Sequence, residues 1–430
     1  EDRSLGDIDG GFEIPDPNNP PDGVITGPGF ILFQSVTQDS INDLEQFTQE
    51  LRLSSQASDR LFWQAGLFYF DDSYDVETAP FFIPPTTRRH ENTSWAVFGQ
   101  FSYDMSDTWN LTAGVRYTDD EKDLTDPPTN IGIFSFDPVN VQDDEVSWDV
   151  SLIWSPSDAI NWYGRLASGF RGPSIQGRDI AFFGGTSVAK SETILSGEVG
   201  FKSTLNNDRL RLNGAVFAYQ VDDQQITAVG GAANLIQLVN ADKTNAYGFD
   251  LDLDVLLTDN FLVEFGIGYN STEIDDPNLR IATCGALAAD FSQACTPTDP
   301  LDPDGFAFVD GNSLPNAPEF NTSILAEYTV PLTAGELYFA ADYVYQSDMQ
   351  FLLYDTVEFN SDGTFELGVR AGFEAARGRW DVAVFGRKIT HEENLKGVID
   401  IKNLTGFVND RRICGATFNV NFGAYCSCPI

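Results

Sequence analysis

The fold is decided by the stretch NWYGRLASGFRGPS (161–174) and its continuation SETILSGEVGFKSTLNNDRLRLNGAVFAYQVDDQQI (191–226). After the polar turn at 206–208, apolar residues alternate with polar or small residues through 210–218. Alternation with period two over ten or more residues predicts long β-strands with one apolar and one polar face. Long strands joined by short turns at one end and long loops at the other predict a membrane-spanning β-barrel.

Other parts of the chain repeat this pattern. Strand candidates come in pairs joined by short turns rich in Asn, Asp, Gly, Pro and Ser, as β-hairpins favour. The two strands on either side of the 206–208 turn, six further pairs and a last strand at 416–422 give about fifteen strands. The other pairs are 47–54 with 60–70, 94–103 with 108–118, 145–154 with 160–170, 246–257 with 261–270, 321–330 with 337–346, and 365–375 with 380–388.

The connections between these pairs are long, and they alternate strictly with the short turns. This is how outer-membrane barrels distribute extracellular loops and periplasmic turns. We therefore expect the short turns and the C-terminus to lie on the periplasmic side. The predicted loops are 73–92, 119–144, 171–191, 221–244, 271–318, 347–363 and 389–412.

Composition agrees with an all-β membrane protein. The 430 residues are 42% hydrophobic and 13% aromatic, and no apolar run approaches the length of a spanning helix. The 65 acidic and 25 basic residues give a formal charge of −40, which argues against a nucleic-acid-binding or phosphate-binding surface. We find no nucleophile, zinc or phosphate-loop motif, and the two histidines, His90 and His391, lie far apart in sequence. The sequence therefore predicts no enzyme.

Alternation assigns side chains to the two faces of the strands. Polar residues that alternate with apolar ones are expected to face the lumen, since three Asp at 250–254 would be prohibitive in lipid. The predicted lumen-facing residues are Arg116, Asp149, Arg165, Arg209, Arg211, Asp250, Asp252, Asp254, Asp342 and Arg370. Tryptophans near short turns are expected to form a periplasmic aromatic girdle, with core tryptophans as the alternative. These are Trp109, Trp154, Trp162 and Trp380.

Two loop features suggest bonding beyond the backbone. Cys284 and Cys295 lie eleven residues apart in one polar loop, which predicts a disulfide formed in an oxidising compartment, with two free thiols as the alternative. The pairing of Cys414, Cys426 and Cys428 is left open, and two ligands in Cys-x-Cys spacing are too few for a metal site. Acidic residues suggest either loop calcium or, as the favoured alternative, a solvated acidic loop. They are Asp299, Asp302, Asp304 and Asp310. No other cofactor is expected.

Six stretches, in order over about 375 residues, resemble the TonB-dependent outer-membrane receptors. They include TAGVRYTDDEK (112–122), YGRLASGFRGPS (163–174), NGAVFAYQVDDQQI (213–226) and VFGRKITHEEN (384–394). The resemblance implies a plugged barrel of twenty-two strands, of which this chain would supply roughly strands eight to twenty-two. The plug and its TonB-contacting segment are not recognised in the sequence, so we expect a fragment, with a split receptor completed by another polypeptide as the alternative. The predicted division is an extracellular loop-like segment at 1–43, the barrel at 44–422 and a tail at 423–430.

The resemblance also implies a function. We expect active, TonB-dependent import of a scarce nutrient across the outer membrane of a Gram-negative bacterium, with outer-membrane lipid and TonB, through a plug, as partners. The ligand would be a siderophore–iron complex, a glycan or another small organic molecule. Aromatic residues near the loop tips are candidates to stack on it, although packing between loops is the favoured role for each. They are Phe81, Phe82, Phe182, Phe183, Phe351 and Tyr354.

Two other functions remain open at this point. A passive diffusion porin of about sixteen strands would need no plug, because barrels of that size leave an aqueous lumen. A structural or adhesive barrel would use its loops to bind other surface proteins.

Overall fold

The structure is a computed structural model that describes residues 3–5, 37–80, 84–128, 130, 135–182, 184–230, 235–284, 295–390, 392–399 and 405–421. The described elements are strands and two short 3-10 helices at Arg178–Phe182 and Ala376–Gly378. None of the helices within these ranges is long and apolar enough to cross a membrane.

Twenty-four strands are present among the described residues. The first twelve are β1 (Arg3–Leu5), β2 (Thr37–Ser58), β3 (Leu61–Pro80), β4 (Thr86–Ser106), β5 (Trp109–Thr125), β6 (Val139–Ser157), β7 (Ile160–Arg171), β8 (Ser174–Gln176), β9 (Ser187–Ala189), β10 (Glu192–Leu205), β11 (Leu210–Gly230) and β12 (Leu235–Thr258). The others are β13 (Phe261–Asp275), β14 (Arg280–Ala282), β15 (Phe306–Phe308), β16 (Phe320–Leu332), β17 (Gly335–Gln346), β18 (Met349–Gln350), β19 (Asn360–Ser361), β20 (Thr364–Ala375), β21 (Trp380–Arg387), β22 (Leu395–Ile399), β23 (Thr405–Val408) and β24 (Ile413–Val420).

Fifteen long strands and the three-residue β1 form one antiparallel sheet. Its order is β1-β2-β3-β4-β5-β6-β7-β10-β11-β12-β13-β16-β17-β20-β21-β24, so neighbours in sequence are neighbours in the sheet. The remaining strands form four small hairpins in the loops, β8 with β9, β14 with β15, β18 with β19, and β22 with β23. The predicted all-β fold of about fifteen antiparallel strands is confirmed.

The seven predicted short turns are all present at one end of the sheet. Six leave two to four residues between strands, and the seventh, between β20 and β21, holds the second 3-10 helix. The tight return at 206–208 has positive φ at all three residues, 54°, 53° and 65°. Asn and Asp tolerate this left-handed conformation better than other side chains, which explains the composition of the turn.

At the opposite end, three predicted loops are much shorter than the sequence indicated. The strands continue through most of 73–92 and 221–244 and through half of 119–144, and they leave only residues 81–85, 231–234 and 126–138 between them. Strands of about ten residues cross a bilayer, whereas β3 has 20 residues. Beyond the bilayer no face meets lipid, and loops cover parts of the strands, as the buried Thr78, Leu124 and Ala241 show. The alternation that identifies a strand therefore disappears while backbone pairing continues.

The N-terminal boundary differs in the same direction. Strand β2 begins at Thr37, upstream of the predicted barrel start at residue 44. Most of 1–43 and the tail at 423–430 lie outside the described residues, so those two segments stay predictions.

Strand register separates an apolar from a polar face. In β7, β10 and β11, Leu166, Val199 and Val216 lie on one face and are 58%, 58% and 59% exposed. The register pairs Asp250 and Asp252 of β12 with Ala215 and Asn213 on the other face. A continuous exposed apolar band opposite a polar face is the pattern of a barrel surrounded by lipid.

The largest buried apolar cluster lies among the loops rather than inside the sheet. It joins the ends of β11 to β13 to the connections 276–319 and 347–363, and we call it the loop core. Its members are Ile226, Ala228, Ala241, Ile274, Ile281, Cys284, Cys295, Ala307, Val309, Leu352, Leu353, Tyr354 and Phe359.

Candidate functional site: the polar face and the loop end

The predicted lumen-facing residues lie on the polar face, with one difference. By strand register, nine of the ten share this face: Arg116, Asp149, Arg165, Arg211, Asp250, Asp252, Asp254, Asp342 and Arg370. Arg209 instead ends the turn before β11, where its Nη1 donates to Asp259 Oδ1 of the next turn at 2.6 Å. Arg209 therefore belongs to the turn, and the alternation begins with β11 at Leu210.

Charged groups on the polar face are paired across strands. Arg165 Nε donates to Asp149 Oδ2 at 2.5 Å, and Arg211 Nε donates to Asp254 Oδ2 at 2.6 Å. Tyr338 OH donates to Asp381 Oδ2 at 2.8 Å and accepts from Arg370 Nε at 3.2 Å. Such charge-assisted pairs keep the side chains against the wall, and their remaining donors and acceptors are available to water or to protein filling the interior.

Arg116 is held differently, between aromatic rings. Its guanidinium carbon lies 5.2 Å from the ring centre of Phe68 and 5.8 Å from that of Phe98. Its Nε donates to Thr118 Oγ1 at 3.0 Å. The cation–π contacts fix the position of the arginine without neutralising its charge.

The four predicted girdle tryptophans lie next to short turns on the apolar face. Trp109 stacks on Trp154 with 5.7 Å between ring centres, and Trp162 packs against Phe201 at 5.1 Å. Trp380 packs against Phe373 at 5.3 Å. All four are partly exposed, between 37% and 44%. Their depth in a bilayer stays a prediction, while the alternative of buried core tryptophans does not fit this exposure.

One connection folds over the polar face instead of extending away from the sheet. Residues 172–191, which we call the inward loop, contain β8, a 3-10 helix and β9. On one side, Arg88 of β4 donates to the carbonyl oxygens of Gly177 (2.9 Å) and Arg178 (3.2 Å). On the other side, the backbone N–H of Ile236 in β12 donates to Asp179 Oδ2 at 2.9 Å.

These contacts show which face of the sheet is concave. Strands β4 and β12 are six neighbours apart in the sheet order. Six steps span about 29 Å across a flat sheet. Here the Arg88 side chain reaches the carbonyl oxygen of Arg178, and the side chain of the next residue, Asp179, reaches β12. Their combined reach is shorter than that span. The sheet therefore curves towards the face that carries Arg88, which is the polar face.

Two of the six candidate ligand-binding aromatics are buried. Phe351 and Tyr354 are 7% and 0% exposed, and Tyr354 OH accepts from the backbone N–H of Cys284 at 3.1 Å. Tyr354 belongs to the loop core and packs loops together, which was the favoured role. Phe182 is half-buried in the inward loop, where its ring centre lies 4.6 Å from the guanidinium carbon of Arg178. Phe81, Phe82 and Phe183 lie outside the described residues.

The predicted disulfide is present. Cys284 and Cys295 are bonded to each other, with their Cα atoms 5.8 Å apart and both residues in the loop core. Cys414 is a free, exposed cysteine, while Cys426 and Cys428 lie outside the described residues.

The acidic loop residues bond to the protein itself. Asp302 Oδ1 accepts from the backbone N–H groups of Asp304 (2.9 Å) and Phe306 (3.0 Å). Asp299 Oδ2 accepts from Asp355 N at 2.7 Å, and Asp310 Oδ1 accepts from Asp276 N at 2.9 Å. Within the described ranges, no group of three or more His, Cys, Asp or Glu side chains is arranged to hold a metal ion. Calcium binding here stays an untested alternative.

The pKa values of two loop carboxyls, Asp302 and Asp355, are shifted in opposite directions. The backbone N–H of Phe306, with help from Asp304 N–H and Arg280, lowers the pKa of Asp302 below its usual range. Burial raises the pKa of Asp355, and the negative charge of Asp299 raises it further. Asp302 is therefore built into its hairpin as a carboxylate, whereas the charged form of Asp355 is disfavoured.

Comparison with known proteins now identifies the family. The sequence matches the family described as "TonB dependent receptor-like, beta-barrel" over residues 7–404. This chain belongs to that family. Its members are receptors of the outer membrane of Gram-negative bacteria, which places this receptor barrel there.

Solved structures of this family share the fold. The ferric yersiniabactin uptake receptor FyuA from Yersinia pestis is 15% identical with a TM-score of 0.69, over 90% of this chain and 55% of that one. The siderophore receptor PiuA from Acinetobacter baumannii is 13% identical, with a TM-score of 0.63 over 90% and 57% of the two chains. The copper transporter OprC is 12% identical, with a TM-score of 0.64 over 90% and 58%. The receptor chain described here thus spans about half the length of these proteins.

Sequence reasoning missed the residues that hold the inward loop of the receptor. Arg88 is 2% exposed, Asp179 is 2% exposed and Gln225 is 8% exposed, although all three side chains are polar or charged. All three lie where strand alternation is lost, so no pattern marks them as buried. His90 lies near Arg88 and stacks on Tyr74 at 5.0 Å between ring centres, while His391 lies outside the described residues.

Proposed function

We propose that this chain forms most of the barrel of a receptor that imports a small ligand across the outer membrane with energy supplied through TonB. A siderophore–metal complex is the favoured ligand class, because FyuA and PiuA carry siderophore names and OprC is named for copper. A glycan or another small organic ligand is the other class considered.

One observation carries the proposal. The concave polar face runs from the short turns to an opposite end where the loops have a buried core of their own. Solvent-exposed loops that only connect strands have no reason to bury apolar side chains, whereas a receptor needs an ordered surface to select a ligand. The paired charges of the polar face also suit contact with a hydrated plug, through which TonB would act.

The proposal is tested by uptake in cells. The full-length receptor is expressed in a Gram-negative strain lacking its other siderophore receptors, with or without TonB. Radioiron-loaded catecholate, hydroxamate and α-hydroxycarboxylate chelators are supplied below the micromolar range, and a radiolabelled small sugar serves as a control. We expect saturable uptake of one chelate class in cells with TonB and none in cells without it.

Other outcomes would contradict this function. Non-saturable entry of chelate and sugar, equal with and without TonB, would indicate a passive porin. Surface binding of other cells or proteins, without uptake of any chelate or of an oligosaccharide panel, would indicate an adhesive barrel.

A further inference from the structure

We propose that the inward loop, residues 172–191, is a fixed inner wall at the extracellular mouth of the barrel and limits the size of ligand admitted. Arg88 is its positioning residue. The size limit on the ligand rests on the proposed import function, whereas the attachment of the loop rests on its contacts alone.

The first attachment is on the β3–β5 side. Arg88 donates three hydrogen bonds, to Gly177 O, Arg178 O and, at 2.5 Å, to Thr78 Oγ1 of β3. Thr78 Oγ1 in turn donates to Asp39 Oδ1 of β2 at 2.5 Å. The guanidinium is thus enclosed by acceptors and is almost completely buried, so it is no surface cation that happens to touch a loop.

The second attachment is on the β11–β12 side. Gln225 of β11 accepts from Ser174 Oγ at 2.7 Å and donates to Gly172 O (2.7 Å) and Lys190 O (2.9 Å). Asn240 of β12 accepts from Lys190 N at 2.8 Å. These bonds hold both ends of the inward loop, and the Leu238 N–H donates to Ser187 Oγ of β9 at 2.9 Å.

Outward movement of the loop would break both attachments together. It would remove two of the three hydrogen bonds of the buried Arg88 guanidinium and all three of the Gln225 side-chain amide, and unpaired buried polar groups are strongly unfavourable. Space is also filled on the sheet side, because a Cβ at Gly177 would lie 2.8 Å from Leu124 Cδ2 and 3.2 Å from Arg88 Cδ. A loop seated this closely on the concave face narrows the mouth permanently.

A disulfide lock tests whether the loop is fixed. Ser187→Cys with Leu238→Cys joins the loop to β12 in the full-length receptor. A fixed loop predicts nearly complete disulfide formation in isolated outer membranes, before any ligand is added, and uptake within about twofold of the reduced form, since the lock removes no needed motion. Poor disulfide formation, or uptake abolished by oxidation and restored by reductant, would show a mobile lid and overturn the proposal.

Arg88→Met tests the size limit, with Arg89→Met as the matched control. Arg89 points from the opposite face and pairs with half-buried Asp75 (3.4 Å) and exposed Glu91 (3.3 Å). The measurement is uptake of the transported chelate relative to the same chelate carrying a bulky fluorophore. We expect Arg88→Met to raise the uptake of the conjugate, relative to the unmodified chelate, about fivefold or more, because the loop is no longer held to β4 once its hydrogen bonds to Arg88 are lost. Arg88→Lys should restore most of the discrimination between the two chelates.

The outcomes separate the proposals. An unchanged conjugate ratio in a correctly assembled Arg88→Met receptor would overturn the size limit. If that variant does not assemble, the disulfide lock decides. If no compound is transported by the wild-type receptor, the import function fails, while disulfide yield without ligand still decides whether the loop is fixed.

Discussion

Asp302 is the clearest case of a single side chain whose charge supports local structure. Its carboxylate receives two backbone N–H groups and Arg280 Nη1, at 2.9 Å, in the hairpin of β14 and β15. We expect Asp302→Asn to speed amide exchange in this hairpin about three- to tenfold at pH 7, because hydrogen bonds to a charged acceptor are lost. Hydrogen exchange of the full-length receptor in detergent measures this.

The pH dependence of this effect has a definite sign. The folded pKa of Asp302 is lowered, so its stabilising contribution is present above the unfolded pKa of about 3.9 and is lost as pH falls through the folded value. Wild type and Asp302→Asn should therefore converge in acid. Asp355 provides the opposite control: since burial raises its pKa, Asp355→Asn should leave exchange unchanged or slower at pH 7. Equal loss of protection in both variants would contradict the electrostatic explanation.

At the scale of elements, the disulfide and the loop core join two connections, 276–319 and 347–363, into one structural unit. The bond between Cys284 and Cys295 closes a loop with a sequence separation of 11. Such a closure contributes about 2–3 kcal/mol by reducing the entropy of the unfolded loop. We expect Cys284→Ser with Cys295→Ser to expose residues 276–319 and 347–363 to protease together, because both pack around Tyr354 and its neighbours.

Cys414→Ser is the matched control for this prediction. Cys414 is exposed and free in β24, so its replacement should not change cleavage at either connection. Limited proteolysis with mass spectrometry identifies the sites. Cleavage confined to 276–319 in the double variant would mean that the two connections do not stabilise each other.

The hairpins could be predicted from sequence, and most of the loop contacts could not. Alternation in strands such as 108–118 and 246–257 follows directly from lipid on one side and a polar interior on the other. Burial of Tyr354 and Arg88 depends on contacts between segments distant in sequence, which leave no local period. The extension of β3 to Pro80 was missed because no lipid-facing side imposes alternation there.

At the scale of the whole molecule, the curvature of the sheet places its polar face on the inside and its apolar face on the outside. Alternation in the sequence distinguishes the two faces but does not show which one is inside. The inward loop bridges β4 and β12 on the polar side, so the opposite face is convex and carries the exposed apolar band. Charged side chains of the spanning strands, such as Arg165, Asp250 and Asp252, therefore lie on the concave face rather than on the face that meets lipid. The free-energy cost of introducing a charged side chain should therefore depend on which face of the sheet it occupies, and hardly at all on which strand carries it.

Adjacent residues of β11 test this directly. Val216 lies in the apolar band, paired with Val199 and Phe249, whereas Ala215 lies on the polar face opposite Asp250. We expect Val216→Lys to lower the free energy of unfolding of the membrane-inserted receptor by about 2–4 kcal/mol, the cost of lysine facing mid-bilayer lipid. Ala215→Lys should cost less than about 1 kcal/mol, because its ammonium stays in the polar interior near a carboxylate. Guanidinium unfolding in lipid vesicles, followed by heat-modifiable electrophoretic mobility, measures both, and equal costs would contradict the assignment of the apolar face to lipid.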